Sequence, residues 1–517
     1  MPQENFEKLN KIILKTGIFI LSLSILGKFA GWLFNMILTK YISTENYGIF
    51  TLAWGIVTFS AHILLFGIPA SVSRYIAFYR GRGDKEKVNS SLYTGIILVI
   101  LLILPSLSIF LFLNNFFPNF LSLKREEFLL VCFLFIVFSF YLFFNSVISG
   151  FRRPHISRLF GLLLEIFRPI FIALLIIFGI SISIQNVVFV LTMSVLLPTL
   201  LSAIYVLKKF GLDGKFSFDL TKKFFKFGLP LSLTSTADNI LGWADMFMIR
   251  IFVGFSALGV YYIANLTAAV ELIFFGAFLA IFTPIITEHF GRKDLEGAAK
   301  LSSYLLENFF LFFIPIFTVF ISFPREILVV LFRGEYEEGA LAFQIMAFSM
   351  FLYGIDSLFT TILSSSGNPK KVASIKGIAS VFNVIANLLL IPILKIEGAA
   401  IATVLSSLLM LLLSYSETKK IIKIKISSSR VSKVLISAFL TLPIVLITKK
   451  LIQDSLLSLT TSGIFLALSY SIFLLLFKAL KIEDVLIISA ILRKLKFPRE
   501  ISLRITNLLM KRVESKL

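Results

Sequence analysis

Apolar residues occur in this chain as long, uniform segments rather than as alternating or amphipathic ones. Runs of about 20 residues, each long enough to cross a hydrocarbon core of about 30 Å as an α-helix, recur along the whole length. This pattern predicts an all-α polytopic membrane protein. The predicted helices are fourteen and span 12–39, 47–70, 91–116, 127–150, 156–180, 187–207, 226–252, 258–284, 301–323, 338–363, 372–394, 398–416, 433–452 and 456–478.

Basic residues alternate between the connections on the two sides of these predicted helices. If the amino terminus is cytoplasmic, the cytoplasmic segments hold 39 of the 50 Lys and Arg and the outer connections hold nine. Cytoplasmic loops of membrane proteins carry such an excess, and one omitted helix would scramble the alternation. The charge pattern therefore predicts a multi-pass protein of the cell membrane with both termini in the cytoplasm.

Composition agrees with this interpretation. Hydrophobic residues make up 57% of the 517 positions, and the formal net charge is +21. A nucleic-acid-binding protein would cluster its basic residues on one soluble face, and no segment offers such a domain. The single cysteine, Cys132, lies inside a predicted helix, so no intramolecular disulfide is expected.

The chain repeats itself at a shift of about 211 residues. "GWLFNMILTKYISTENYGIF" (31–50) aligns with "GWADMFMIRIFVGFSALGVY" (242–261), and "YRGRGDKEK" (79–87) aligns with "HFGRKDLEG" (289–297). Pro154 aligns with Pro369 at a shift of 215. Six helices per repeat place the two copies parallel to each other, a plan found in secondary transporters. We expect two six-helix lobes, 1–223 and 224–425, followed by a unit, 426–517, of two extra helices and a basic cytoplasmic tail.

Three further segments resemble a known family. "YISTENYGIFTLAWGI", "FGIPASVSRYIAFYRGRGD" and "SSSGNPKK" are similar to patterns of the polysaccharide transporter branch of the multidrug, oligosaccharidyl-lipid and polysaccharide (MOP) flippase superfamily. The resemblance spans about residues 10–420. It implies a fold like that of the multidrug transporters (MATE) of the same superfamily and transport of a lipid-linked oligosaccharide by alternating access. A role like that of the lipid II flippases, which share the fourteen-helix count, is an alternative.

Lys28 is a permanent cation within the first predicted helix. It lies 13 residues beyond Lys15, about 20 Å along the helix. Ser24, Lys28, Gly31, Asn35 and Thr39 follow a helical spacing, so the helix carries a narrow polar stripe. One hypothesis gives Lys28 and Asn35 a place in the substrate site, with Lys28 on a pyrophosphate group. A structural ion pair, or a lysine whose ammonium reaches the outer surface, is the alternative.

The repeat places acidic and polar groups of predicted helix 7 at the height of Lys28. Gly27 and Lys28 align with Asp238 and Asn239, and Asp245 lies seven residues further on the same face. We expect Asp238 to neutralise Lys28 in the empty site until a substrate phosphate displaces it. A permanent salt bridge between the lobes is the alternative.

Four other ionisable residues lie within predicted helices. Glu165 and Arg168, three residues apart, favour a structural pair. Glu271 and Asp356 are single acids in apolar segments, where a proton or sodium role is conceivable. All four are candidates for coupling transport to an ion gradient.

Arg74 is the last candidate for the substrate site. It lies at the predicted cytoplasmic mouth, where it would attract an anionic headgroup, although topology alone also explains it. The three histidines are dispersed, so no metal site and no cofactor are expected.

The competing classes are an enzyme and a drug exporter. The chain lacks an Asp-x-Asp pair, a phosphate-binding Gly-x-x-x-x-Gly-Lys loop and a long outer loop, so we expect no enzyme. A MATE-like drug or cation antiporter is the alternative transporter, but a cation in helix 1 suits an anionic substrate better. We expect a monomer whose partners are membrane lipid, a lipid-linked oligosaccharide and glycan-assembly enzymes.

Overall fold

The computed structural model describes residues 3–116, 118–481 and 484–485, and within them the chain forms helices and no strand. The predicted tail from residue 486 lies outside the described residues. In chain order the helices are α1 (Gln3–Tyr41), α2 (Thr44–Leu64), α3 (Ile68–Gly81), α4 (Lys85–Phe116), α5 (Pro118–Leu121), α6 (Arg125–Gly150), α7 (Pro154–Ile177), α8 (Ile184–Phe210), α9 (Phe218–Phe252), α10 (Phe255–Ala268), α11 (Val270–Gly291), α12 (Leu295–Ser322), α13 (Pro324–Leu331), α14 (Ala340–Ser365), α15 (Pro369–Lys419), α16 (Ser428–Leu451) and α17 (Ser455–Leu476).

Twelve helices in the described part of the chain are long and apolar enough to cross a membrane. Their outward faces carry large apolar side chains, such as Phe29, Ile177, Leu389 and Ile393, that are more than half exposed. A protein in water rarely exposes a continuous apolar surface of this size, so these faces are suited to contact with lipid. The chain is therefore a multi-pass membrane protein.

Two predicted helices are broken in the structure. The prediction 47–70 is divided into α2 and α3 by a turn in which Phe66 and Gly67 adopt left-handed backbone angles, φ 47° and 70°. The prediction 258–284 becomes α10 and α11, which meet at Ala269. The predictions 372–394 and 398–416 agree with the structure, because the segment labelled α15 consists of two helices that meet at a kink, where Lys395 has the non-helical angles φ 52° and ψ −128°. Uniformly apolar segments carry no signal for such breaks, since the breaks depend on what packs against them.

The repeat is visible in matching turns. Between α3 and α4 the Asp84 amide donates to the Tyr79 carbonyl, and between α11 and α12 the Asp294 amide donates to the His289 carbonyl, 210 positions later. Asp84 and Asp294 each accept an amide hydrogen from the following helix, Asp294 as its N-cap residue. The Gly297 amide, together with His289, lowers the pKa of Asp294 below its usual range.

A second pair of turns matches at the other shift. The Arg153 amide donates to the Ile148 carbonyl, and the Asn368 amide donates to the Leu363 carbonyl, 215 positions later. Pro154 and Pro369 then begin α7 and α15 at the first helical position, where a missing amide hydrogen costs nothing. Two turns thus recur with the same hydrogen bonds at the offsets that the sequence indicates.

The two halves of the chain touch through backbone contacts at both ends of α2. At the α2 start, a Cβ on Gly48 would lie 2.0 Å from the Phe255 carbonyl oxygen of α10, and a Cβ on Gly259 would lie 2.3 Å from the Thr44 carbonyl oxygen. At the α3 start, a Cβ on Gly67 would lie 2.4 Å from the Gly228 carbonyl oxygen of α9. Only glycine permits approaches this close.

A buried polar network attaches the last two helices. The Arg430 guanidinium of α16 contacts Glu307 of α12 at 2.8 Å and also pairs with Asp484, beyond α17. It donates further hydrogen bonds to Asn308 and to the Ala479 carbonyl oxygen. Arg430, Glu307 and Asp484 are each at most 5% exposed, so these three side chains are largely shielded from water.

Candidate functional site

Three charged residues lie on one face of α7. Arg158, Glu165 and Arg168 follow intervals of seven and three residues, which place them on the same side of a helix. The Arg168 guanidinium donates to Glu165 at 3.0 Å and stacks 4.5 Å from the Trp54 ring of α2. The predicted Glu165–Arg168 pair is thus present, with Arg168 buried.

Glycines bring α1 directly against this cluster. A Cβ on Gly31 would lie 2.8 Å from a Glu165 carboxylate oxygen, and one on Gly27 would lie 3.8 Å from the Arg158 guanidinium. Lys28 follows Gly27, is exposed, and makes no ion pair or hydrogen bond within the described residues. We name Lys28, Arg158 and Arg168, together with Glu165, the cationic cluster; its formal charge is positive.

Several donors of the cationic cluster are unused. Nε of Arg158 and both Nε and Nη2 of Arg168 are buried without a hydrogen-bond partner among the described residues. Buried polar groups of proteins nearly always have partners, and an unpaired guanidinium donor is well suited to a carboxylate or phosphate oxygen. The arrangement can therefore accept an anion with several oxygens.

Aromatic rings connect the cluster to a second polar region. The Phe138 ring of α6 lies 5.3 Å from Trp54 and 6.2 Å from the His62 ring. His62 lines a cavity of about 350 Å³ between α2, α3, α6 and α9, whose polar lining includes Ser146, Ser235 and Asp238. The cationic cluster and this polar cavity, whose lining includes an acidic group, are thus connected through Trp54, Phe138 and His62.

Asp238 does not pair with Lys28 in this conformation. Its carboxylate instead contacts the Lys376 ammonium of α15 at 2.7 Å. The expected Lys28–Asp238 pair is therefore replaced by a pair within the second half of the chain. Asn239, the neighbour of Asp238, donates to the Ser235 carbonyl oxygen of its own helix.

Asn35 and Asp245 lie in buried contacts between adjacent helices. The Asn35 amide donates to the Gly31 carbonyl oxygen and accepts from the Tyr47 hydroxyl at 2.6 Å. Asp245 accepts from the Tyr261 hydroxyl at 2.5 Å and from the Met246 amide. Both side chains thus join the first helix of a half to the helix that follows it.

The remaining candidates are dispersed. Arg74 is exposed and stacks 3.9 Å from the Phe227 ring of α9. Asp356 is buried and accepts from the Ser414 hydroxyl at 2.6 Å. Glu271 is 3% exposed at the start of α11, and its Oε1 has no partner among the described residues. The structure does not gather these three into one site.

Sequence reasoning missed two residues of these regions, Arg158 and Lys376. The sequence prediction names neither as a site residue, because both lie close to the starts of the predicted helices 156–180 and 372–394, where basic residues serve as topology signals. The spacing of Arg158 to Glu165 and Arg168 was a usable signal, since it matches a helical face. No spacing connects Lys376 to Asp238, which lie 138 positions apart.

Comparison with known protein families shows to which family this chain belongs. The family described as "Polysaccharide biosynthesis protein" matches residues 13–290, more than half of the chain. The chain belongs to this polysaccharide biosynthesis protein family. The MatE family also matches residues 230–389. The resemblance to the polysaccharide branch of the MOP superfamily is confirmed.

Relatives of this family member include proteins of archaea. The uncharacterized membrane protein MJ1068 of Methanocaldococcus jannaschii is 28% identical over 67% of this chain and 72% of that protein. The probable low-salt glycan biosynthesis flippase Agl15 of Haloferax volcanii is 25% identical over 41% of this chain and 46% of that protein.

Solved structures share the fold of this family member. The lipid II flippase MurJ in an inward closed conformation matches 89% of this chain and 98% of its own, with a TM-score of 0.70 and 16% identity. An inward-facing MATE transporter of the MOP superfamily matches 81% of this chain and 98% of its own, with a TM-score of 0.62 and 16% identity. The fold is therefore MATE-like and MurJ-like.

Proposed function

We propose that this protein is a flippase that moves a phosphate- or pyrophosphate-linked oligosaccharide lipid across the cell membrane by alternating access. The observation that carries the proposal is the cationic cluster, whose buried arginine donors lack partners. Family membership supports it, as does the description of Agl15 as a probable glycan biosynthesis flippase. A lipid-linked glycan supplies the multiply charged, oxygen-rich group that such donors bind.

The residues of the cluster take different parts in this proposal. Lys28, exposed on α1, provides a mobile point charge, whereas Arg158 offers a planar set of donors. Glu165 holds Arg168 in place through their 3.0 Å contact. Asp238 lines the adjoining cavity, and its pair with Lys376 can open when the glycan part of the substrate enters.

We further propose the fourteen-crossing topology with both termini in the cytoplasm. α15 has 51 residues, about 76 Å of helix, which is enough for two crossings with Lys395 at the turn. Counting α15 twice and adding α9, whose polar residues lower its mean hydropathy, brings the twelve apolar helices to fourteen. The repeat then gives lobes of α1–α8 and α9–α15, with α16 and α17 added.

A cation antiporter is the less suitable alternative. MATE transporters share the fold, but the two arginines on the Glu165 face of α7 and Lys28 on the adjoining α1 would repel a cationic drug. Coupling to a proton or sodium gradient is compatible with the flippase proposal, and Glu271 is the residue best placed for it because its buried carboxyl oxygen is unpaired. We propose a monomer that receives its lipid-linked substrate from glycan-assembly enzymes.

The proposal is tested with the purified full chain in proteoliposomes. A fluorescent saccharide on a polyprenyl pyrophosphate is placed in both leaflets, and its appearance outside is followed with a membrane-impermeant quencher. Lys28→Ala and Arg158→Gln should each slow translocation about tenfold or more, since each removes a charged contact of about 1.5 to 3 kcal/mol.

Lys40→Ala is the matched control, because Lys40 is an exposed lysine near the other end of the same helix. It should translocate at the unsubstituted rate. Full translocation by both cluster variants would refute the phosphate-binding role of the cluster. Failure of the unsubstituted protein to translocate any polyprenyl-linked saccharide would refute the flippase function.

A further inference from the structure

A second cavity, of about 560 Å³, lies away from the cationic cluster. It opens between the first turns of α12, the connection from α15 to α16, and the segment that follows α17. Four lysines line it: Lys300, Lys423, Lys425 and Lys481. In the proposed topology this end of the molecule faces the cytoplasm, at the level of the inner lipid headgroups.

The other half of the chain has the same connection, but there it packs closely on the helix beneath it. Ser217 and Ser427, 210 positions apart, both cap the helix that follows, α9 and α16. In the first half, a Cβ on Gly214 would lie 2.2 Å from the Asn89 carbonyl oxygen of α4, so the connection packs directly on that helix. The equivalent position in the second half is Ile424, whose side chain prevents such an approach. The cavity is what this difference leaves open.

The charge of the connection also differs between the halves. Asp213 in the first connection corresponds to Lys423 in the second, while Lys215 corresponds to Lys425. Lys300 is paired with Glu296, and Lys481 is paired with Glu307, which also contacts Arg430. Lys423 and Lys425 are exposed and form no ion pair with any residue of the described chain. With four lysines and two glutamates, the lining carries a net formal charge of +2.

The remainder of the lining is mixed. Ile421, Ile422 and Ala299 provide apolar surface next to the lysines, and the Ser303 hydroxyl accepts the Lys425 amide hydrogen at 3.0 Å. Basic pockets between transmembrane helices on the cytoplasmic side are suited to anionic lipid headgroups, whose glycerol and chain ends need apolar contact. A small soluble anion would use only the lysines.

We propose that this cavity binds a phosphate group, supplied by an anionic phospholipid of the inner leaflet, through Lys423 and Lys425. The apolar part of the lining favours the lipid over free phosphate as the source. The site is separate from the cationic cluster and does not depend on the transport function. Its occupancy would hold the α15–α16 connection, and with it the start of α16, against α12.

The test measures lipid retention by the full chain. The protein is purified in nanodiscs of phosphatidylcholine with a minor fraction of phosphatidylglycerol. Native mass spectrometry then counts the lipids that stay bound when the protein is released from the nanodisc. Lys423→Ala/Lys425→Ala should weaken phosphatidylglycerol binding about 30-fold, from about 1 kcal/mol for each lysine at the membrane surface. A parallel titration with inorganic phosphate in pure phosphatidylcholine follows thermal unfolding.

Lys208→Ala/Lys209→Ala is the matched control, because it removes two adjacent exposed lysines from the end of α8. It should retain phosphatidylglycerol as the unsubstituted protein does. Lys423→Arg/Lys425→Arg keeps the charge and should restore binding, which separates loss of the site from misfolding. If the unsubstituted protein binds inorganic phosphate but not phosphatidylglycerol, and the alanine variant binds neither, the site is supported with a soluble phosphate as its ligand. Unchanged binding of both probes by the alanine variant would overturn the proposal.

Discussion

Two tyrosine hydroxyls show how single residues fix neighbouring helices inside the bundle. Tyr47 of α2 donates to Asn35 of α1, and Tyr261 of α10 donates to Asp245 of α9. All four side chains are buried, so neither acceptor can exchange its partner for bulk water. Loss of a hydroxyl leaves a buried polar atom unsatisfied, which costs more than the hydrogen bond itself contributes.

Tyr261→Phe should lower the free energy of unfolding by about 1 to 3 kcal/mol, because the Asp245 carboxyl then loses its side-chain partner. Chemical unfolding in mixed micelles, followed by tryptophan fluorescence, measures the change. Tyr41→Phe, at a half-exposed tyrosine, should have no measurable effect. Equal stability of the two variants would contradict a role for the Tyr261 hydrogen bond.

For single residues, the sequence predicts side-chain contacts within one helix, but it does not predict which side chains pair between helices. The Glu165–Arg168 pair follows from a spacing of three residues and is present. Asp238 was assigned to Lys28 from the repeat, yet it pairs with Lys376 of a helix that packs beside α9. Alignment of repeats gives a similar depth in the bundle, but it contains no information on which helices are neighbours.

At the scale of helices, α16 and α17 attach to the bundle through a buried polar network as well as through apolar packing on α12. Arg430 joins α16 to Glu307 of α12 and to Asp484, which follows α17. Removing one partner from a buried ionic network leaves charges without compensation, whereas an intact network contributes little net stability. The network therefore specifies where the last two helices attach.

Arg430→Ala should destabilise the protein by about 3 to 5 kcal/mol, because Asp484 stays buried without the guanidinium and Glu307 keeps only its pair with Lys481. Limited proteolysis of the α15–α16 connection and unfolding in mixed micelles report the loss. Arg292→Ala, which removes an exposed arginine, serves as the control and should leave both measurements unchanged. If Arg430→Ala unfolds like the control, the network does not hold these helices.

The helices themselves were predictable to different degrees. Apolar runs of sufficient length located them, and the gap predicted at 395–397 contains the interruption at Lys395. The break between α2 and α3 was not predicted, because it depends on the contact of Gly67 with the Gly228 backbone of a distant helix. A left-handed glycine in an apolar run gives no periodic signal.

For the whole molecule, the contacts at the two ends of α2 mean that the halves meet at two levels of the bundle, and the contact at Gly67 lies in the lining of the polar cavity. Near the α3 start, the Ser71 hydroxyl also donates to the Phe224 carbonyl oxygen at 2.8 Å. Access to the cavity from that side requires separation of α3 from α9. A solved structure with this fold, MurJ, is described as inward closed.

Gly228→Ala should favour opening on that side, because its Cβ would lie 2.6 Å from the Phe66 carbonyl oxygen. In a Cys132→Ser background, Ser235→Cys places a thiol in the lining of the cavity. An impermeant maleimide added to inside-out vesicles should label that thiol about fivefold faster, as a 1 kcal/mol shift between states predicts. Gly242→Ala, where a Cβ would meet nothing within 4 Å, should not change the labelling rate. Equal rates in the two variants would show that α3 and α9 do not control access.

The contact at the α2 start has a different character, because each half contributes the same glycine to it. Gly48 meets Phe255, and Gly259 meets Thr44, at a constant shift of 211 positions. Residue i of one copy touches j of the other while j touches i, which is the geometry of an isologous interface in a two-fold homodimer. The single chain thus retains, at that end, the interface by which two separate six-helix subunits would have paired.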